Sequence, residues 1–145
     1  MNTIKVKKLH PNAILPTYGT EFSAGADLYA CLETDLAIAP GTSAKLPTGI
    51  ALEVPTGCAG LVYARSGMAC KRGLAPANKV GVVDSDYRGE IIVFLHNHGS
   101  ETQVIHPGDR VAQFIITPVV TPKYEEVDEL SDTVRGVGGF GSTGK

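Results

Sequence analysis

Short runs in which apolar and polar side chains alternate, each cut off by glycine or proline, recur from one end of this chain to the other. That pattern has the period of a strand buried on one face, not of a helix. The 17 glycines and 9 prolines among 145 residues reinforce it, because both residues break helices. Ile4 and Val6 alternate with polar neighbours, as do the apolar residues of 45–54 (KLPTGIALEV). Further strands are expected over 60–63, 90–95, 103–105 and 111–117, with turns at Pro40-Gly41, Pro55-Thr56-Gly57 and Pro107-Gly108. One short helix is expected around Ser66 to Cys70, stopped by Lys71-Arg72-Gly73. The reading is a single all-β domain.

Charge and cysteine usage narrow the function classes. A formal net charge of −2 provides no broad electrostatic footprint for DNA or an anionic membrane, although a locally basic pocket for a phosphorylated ligand stays open. Cys31, Cys58 and Cys70 are odd in number and lack CxxC spacing, so neither a disulfide framework nor a zinc ribbon is indicated. The first ten residues, MNTIKVKKLH, contain no apolar segment of a secretion signal. No stretch approaches the roughly 18 apolar residues of a membrane span. A cytoplasmic protein is expected.

Two familiar-looking motifs fail on context. Gly136-Val-Gly138-Gly-Phe-Gly141 has GxGxxG spacing, but the chain ends four residues later and leaves no room for the helix that should follow. The run from Gly139 to Lys145 imitates the start of a P-loop without its Ser/Thr or helix. Exposed glycine amides can still cradle phosphate, with Arg135, Ser142 and Thr143 as further donors. His96 and His98 would share one strand face, without a second ligand pair in sight. Ser66 stands in Arg-Ser-Gly, not in a nucleophile elbow, and suits anion binding better than acylation.

Five segments survive. Asp27 lies in AGADLYA (24–30), and Arg65-Ser66-Gly67 opens the short helix, where free N–H groups attract phosphate. Asp84 and Tyr87 lie in GVVDSDYRGEI (81–91), Gln113 in GDRVAQF (108–114), and a glycine-rich arm ends the chain. An aspartate in a β-turn is by itself usually a turn former. In this order and at these spacings, however, the five segments closely resemble the motifs of the trimeric dUTP pyrophosphatases (dUTPases), from about Ile4 to Gly144. Ala64 departs from the proline that many members have there, and Met68 replaces a common leucine.

The resemblance implies a jelly-roll-like β-barrel of the β-clip type, with a domain over 1–130 and an arm over 131–145 that closes over the active site. It implies a homotrimer with shared sites, acting on dUTP with Mg²⁺ to yield dUMP and diphosphate. That activity would limit uracil incorporation into DNA and supply dUMP for thymidylate synthesis. By the same resemblance Asp27 helps hold the water shell of Mg²⁺, and Arg65, Ser66 and Gly67 bind the phosphate chain. Asp84 orients and deprotonates the attacking water, with Gln113 near that water and the α-phosphate. Tyr87 packs on the deoxyribose, and Asn78, Val82 and Val83 belong to the hairpin that reads uracil, with Ile92 beside them. In the arm, Arg135 meets the γ-phosphate, Phe140 stacks on uracil, and Gly141, Ser142 and Thr143 close on the phosphates. Asp86 is the rival carboxylate to Asp84. A dCTP deaminase on the same fold and a non-catalytic nucleotide-binding barrel are the alternatives.

Overall fold

The alternation seen in the sequence becomes alternation of burial. In the strand Ile92–Asn97, Val93, Leu95 and Asn97 are buried while Phe94 faces out. The structure is a computed structural model describing residues 3–140. Its elements are β1 (Val6–Lys8), β2 (Thr17–Tyr18), β3 (Ala26–Tyr29), β4 (Leu36–Ile38), β5 (Ser43–Pro47), β6 (Ile50–Leu52) and β7 (Cys58–Tyr63). They continue with α1 (Ser66–Arg72), β8 (Leu74–Pro76), β9 (Gly81–Val83), β10 (Ile92–Asn97), β11 (Gln103–Ile105) and β12 (Arg110–Pro118). The protein is all-β apart from α1. No helix among the described residues is long and apolar enough to cross a membrane.

Four sheets, built from short strand ladders, wrap one core. Five strands run in the order β2-β3-β12-β7-β9, three as β5-β10-β8, and the pairs β1-β6 and β11-β4 complete the set. Among the described residues these ladders do not close into one hydrogen-bonded ring. The buried residues nevertheless form a single cluster reaching from Ala13 through Leu28, Leu46, Leu74 and Leu95 to Phe114. Its one fully buried amide is satisfied: Asn97 Nδ2 donates to the carbonyls of Ile38 at 2.9 Å and Glu101 at 2.8 Å, and its Oδ1 accepts from Gly99 N–H at 2.9 Å. A buried donor or acceptor left unpaired at that depth would cost about 1–3 kcal/mol.

The expected strand over 45–54 is two strands. Gly49 has φ +68° and turns the chain between β5 and β6, a conformation the alternation pattern cannot register. β10 begins at Ile92, not Glu90, because residues 90 and 91 bond to the β5–β6 link instead. β2, β3, β4, β8 and β9, of two to four residues each, are additional to the strands expected from the sequence. Helix α1 extends to Arg72, ending at Gly73 in the left-handed region, whose N–H returns to the Ala69 carbonyl.

Beyond Pro118 the described chain has no strand or helix. Val119 N–H to Gly57 O at 3.0 Å holds its start, after which Val120, Tyr124, Leu130, Val134 and Val137 stand almost wholly in solvent.

Candidate active site

β3, β12 and the start of α1 build a polar cleft. Asp27 and Gln113 are paired residues of β3 and β12, and Gln113 also stands opposite Tyr63 of β7. Residues two apart share a sheet face, so a carboxylate and an amide in register are held side by side without long connections. Arg65 Nε donates to Asp27 Oδ1 at 2.6 Å, and Arg110 Nη1 reaches Asp27 Oδ2 at 3.3 Å. Gln113 Nε2 donates to the Ala64 carbonyl at 2.7 Å, which fixes the amide; the side chain at 64 plays no part in that bond. Its Oε1 is thereby directed to Gly25, where an added Cβ would lie 2.8 Å away.

The helix start completes this cleft. Arg65 is extended, with φ −86° and ψ 134°, and the first helical bond runs from Ala69 N–H to the Arg65 carbonyl at 2.9 Å. The N–H groups of Ser66, Gly67 and Met68 therefore have no helical acceptor. Ser66 and Gly67 are exposed, and an added Cβ on Gly67 would meet nothing within 4 Å, so these amides and the Ser66 hydroxyl are open to an anion. Asp27 is the only carboxylate lining the cleft among the described residues.

Arg110 was missed by the sequence reading, and the reason is geometric. In a regular strand Arg110 and Gln113, three apart, would face opposite sides. The pairing slips by one between Arg110 and Ala112, so that Val111 and Ala112 are both fully buried and Arg110 pairs with Tyr29. The bulge returns Arg110 to the face of Asp27. The signal available was two consecutive core residues, Val111-Ala112, beside a charge.

A second cleft lies against the edge strand β9. Asn78, Val82, Val83, Asp84, Tyr87 and Ile92 all line it, and Asp86 does not. The hairpin expected here is not a two-stranded ladder: β9 pairs with β7, whereas β10 pairs with β5 and β8. Lys79, with φ +66°, turns the chain before β9, and a turn from Asp84 to Tyr87 follows it, closed by Tyr87 N–H to Asp84 O at 3.2 Å. As an edge strand, β9 keeps backbone donors and acceptors on its outer side without a strand partner among the described residues. The Tyr87 hydroxyl donates to the Glu90 carbonyl at 2.9 Å, and its ring covers Gly89 so closely that no Cβ would fit there. The Asp84 carboxylate makes no hydrogen bond among the described residues and is exposed.

The structure thus divides the expected residues between two clefts of about 330 and 340 Å³ that share no lining residue. Each is at the small end for a ligand site. In the sheet, β3 and β9 are separated by β12 and β7, or about 14 Å at ordinary strand spacing. Arg135 and Phe140 enter neither lining: Arg135 Nε bonds to Gly138 O at 2.7 Å within the arm, and Phe140 is fully exposed. Gly141, Ser142 and Thr143 lie outside the described residues. The His96 and His98 rings meet edge to face, with centroids 4.5 Å apart and planes at 62°, and His96 Nδ1 meets Ser43 Oγ at 2.9 Å; His98 is not on the strand with His96, since β10 ends at Asn97.

Comparison with known proteins bears on the whole of this arrangement. The dUTPase family model matches residues 11–144. A deoxyuridine 5'-triphosphate nucleotidohydrolase of Syntrophotalea carbinolica is 49% identical over 142 residues, covering 98% of this chain and 97% of the relative. Its counterpart in Desulfitobacterium hafniense is 51% identical over 149 residues, covering 99% of each. Among solved structures, the dUTPase of Staphylococcus bacteriophage 80alpha with dUpNHpp superposes with a TM-score of 0.91 at 28% identity, covering 100% of both chains. A variant dUTPase of Staphylococcus aureus phage phi11, solved with a structural Mg(II) ion, has a TM-score of 0.82 at 25% identity and covers 90% of this chain and 100% of its own. With matches over nearly its full length in sequence and in backbone, the chain belongs to the dUTPase family.

Proposed function

We propose that the protein hydrolyses dUTP to dUMP and diphosphate, with the nucleoside held at β9 and the triphosphate at α1. The observation that carries this reading is the convergence of Asp84, Tyr87 and the free edge of β9 on one cleft, in a chain of this family. Backbone N–H and C=O groups along an edge strand can imitate a pairing base and recognise uracil. A close backbone wall also excludes the 5-methyl of thymine by clash. The Tyr87 ring lies close over Gly89; in this reading its other face packs on deoxyribose and excludes a 2′-OH. In this reading Asp84 holds the water and takes its proton, supported by its lining the cleft with a carboxylate that makes no hydrogen bond among the described residues, whereas Asp86 is outside the lining.

Phosphate charge must be offset before water can approach. Arg65, Arg110, the Ser66 hydroxyl and the free amides of Ser66 and Gly67 supply donors for that purpose, with the Gln113 amide beside them. The residues fit Mg²⁺ as a partner of the substrate: this ion prefers one or two carboxylates together with phosphates and waters. Asp27 is the single carboxylate available, and each of its oxygens keeps a lone pair after taking one arginine hydrogen bond. No group of three or more His, Cys, Asp or Glu side chains among the described residues could cage the ion alone. When bound, Mg²⁺ neutralises part of the triphosphate charge.

The active unit in this reading is a homotrimer whose sites are shared between copies, with residues 1–130 as the body and 131–145 as a closing arm. Two half-sites about 14 Å apart on one chain, and an arm whose Arg135 and Phe140 line neither cleft of their own chain, support that reading. The decisive experiment incubates the protein with dUTP or dCTP and Mg²⁺, reading diphosphate and ammonia. Diphosphate from dUTP alone is expected. Ammonia from dCTP would make it a deaminase, and neither product a binding protein.

A further inference from the structure

Tyr87 discriminates by fit, so something must hold its ring to within a fraction of an ångström. The turn that carries it, Asp84 to Gly89, is exposed over much of its length and pairs with no strand. It starts from Val83 of β9, which pairs with β7, and it ends at Glu90-Ile91, a dipeptide clasped by Thr48 and Gly49 of the β5–β6 link and by Ile50, the first residue of β6. Thr48 Oγ1, in a residue only 1% exposed, donates to the Ile91 carbonyl at 2.5 Å. Gly49 N–H donates to the Glu90 carboxylate at 2.8 Å. Ile91 N–H donates to the Ile50 carbonyl at 2.8 Å.

Gly49 is a rigid reference for the second of these bonds. Its φ of +68° is open to few other residues, and an added Cβ would lie 2.8 Å from Cys31 Sγ and 2.9 Å from Ala13 Cβ. Its carbonyl is also taken, by Leu9 N–H at 2.7 Å. Glu90 in turn lines the cleft with Asp84 and Tyr87, and its own carbonyl accepts the Tyr87 hydroxyl. The carboxylate is close enough to Cys31 to raise that thiol's pKa, second to burial itself. One residue therefore bonds to the core with its side chain and to the sugar-facing ring with its backbone.

We propose that Glu90 is a positioning residue for sugar discrimination, fixing the Tyr87 ring relative to the core through the Gly49 N–H. The proposal rests on the reading of Tyr87 as the residue that refuses a 2′-OH. A general structural role would lower stability and activity on every nucleotide alike. A positioning role changes the ratio of kcat/KM for dUTP over UTP.

The test measures that ratio for wild type, Tyr87→Ala, Glu90→Ala, Glu90→Gln and the Tyr87→Ala/Glu90→Ala double variant. Glu90→Ala is expected to narrow the ratio roughly tenfold, the low end of the worth of one hydrogen bond to a charged acceptor. Glu90→Gln keeps an acceptor oxygen and should retain a near-normal ratio, and the double variant should be no narrower than Tyr87→Ala. Glu90→Met, which keeps the bulk and loses the acceptor, takes the place of the alanine variant if that one does not fold. A wild-type ratio in Glu90→Ala or Glu90→Met, or narrowing that multiplies with Tyr87→Ala, overturns the assignment of Glu90 alone. An unchanged ratio in Tyr87→Ala overturns the reading of Tyr87, and the proposal with it.

Discussion

Arg65 and Asp27 form the most buried ion pair of the described residues, Nε to Oδ1 at 2.6 Å, with side chains 24% and 14% exposed. The pair joins the residue before α1 to β3, 38 positions apart in sequence. Removing one member of such a pair leaves the other charge partly desolvated. Asp27→Asn should therefore cost about 1–2 kcal/mol, less than a fully buried pair because both groups keep some water. Urea unfolding will report this as a lower midpoint at constant slope. The same variant should raise KM for dUTP, since Arg65 and Arg110 lose their common anchor.

Two glycines should respond in opposite senses to alanine. An added Cβ at Gly60 would overlap the ring of Phe114, which is 4% exposed and fixed by its neighbours on β12. Gly60→Ala is expected to lose about 1–3 kcal/mol by overpacking. Gly67, in the first turn of α1, has open space around it, and alanine there should hold or raise stability by about 0.4–1 kcal/mol. If its amide binds phosphate as proposed, the cost of Gly67→Ala appears in catalysis instead, because the added methyl obstructs the approach of the phosphates. Melting curves and dUTP kinetics on the two variants separate the effects.

Asp84 and Asp86 are two residues apart, yet only Asp84 lines the cleft at β9. Asp84→Asn keeps the shape but accepts a proton poorly. It should lower kcat by ~10²-fold or more, leaving the affinity for a non-hydrolysable dUTP analogue nearly intact. Asp86→Asn should stay within a few-fold of wild type. The reverse order would transfer the base role to Asp86.

Legibility followed the range of the forces involved. The turn at His106-Pro107-Gly108-Asp109 could be read directly, because Gly108 at φ +81° and the Asp109 N–H to His106 O bond of 3.1 Å depend only on those four residues. β11 coincides with the expected 103–105 for the same local reason. β3 was illegible: Gly25 and Asp27 disfavour a strand, and the segment is one because Ala26 and Leu28 fill the core opposite β12. Asp27 is thus a strand residue, not a turn former. Arg110 depended on a one-residue slip between two distant strands, which no local pattern encodes. The order of the five segments was enough to point to the family, whereas the division of the site into two clefts needed the sheet order.

That division makes the last prediction the most discriminating. If each site takes Asp84 from one copy and the arm from another, two inactive proteins can restore each other. One carries Asp84→Asn with an intact arm; the other ends after Ser131 with an intact Asp84. Neither should turn over dUTP alone. Refolded together in equal amounts, they assort at random round a closed ring, and about one quarter of sites receive both a good aspartate and a good arm. Activity should therefore recover to about a quarter of wild type per site. If every site lies within one chain, each chain still lacks one essential part, and mixing restores nothing. Native mass measurement is the check for mixed oligomers, and persistent inactivity in a mixture that contains them would reject the shared site.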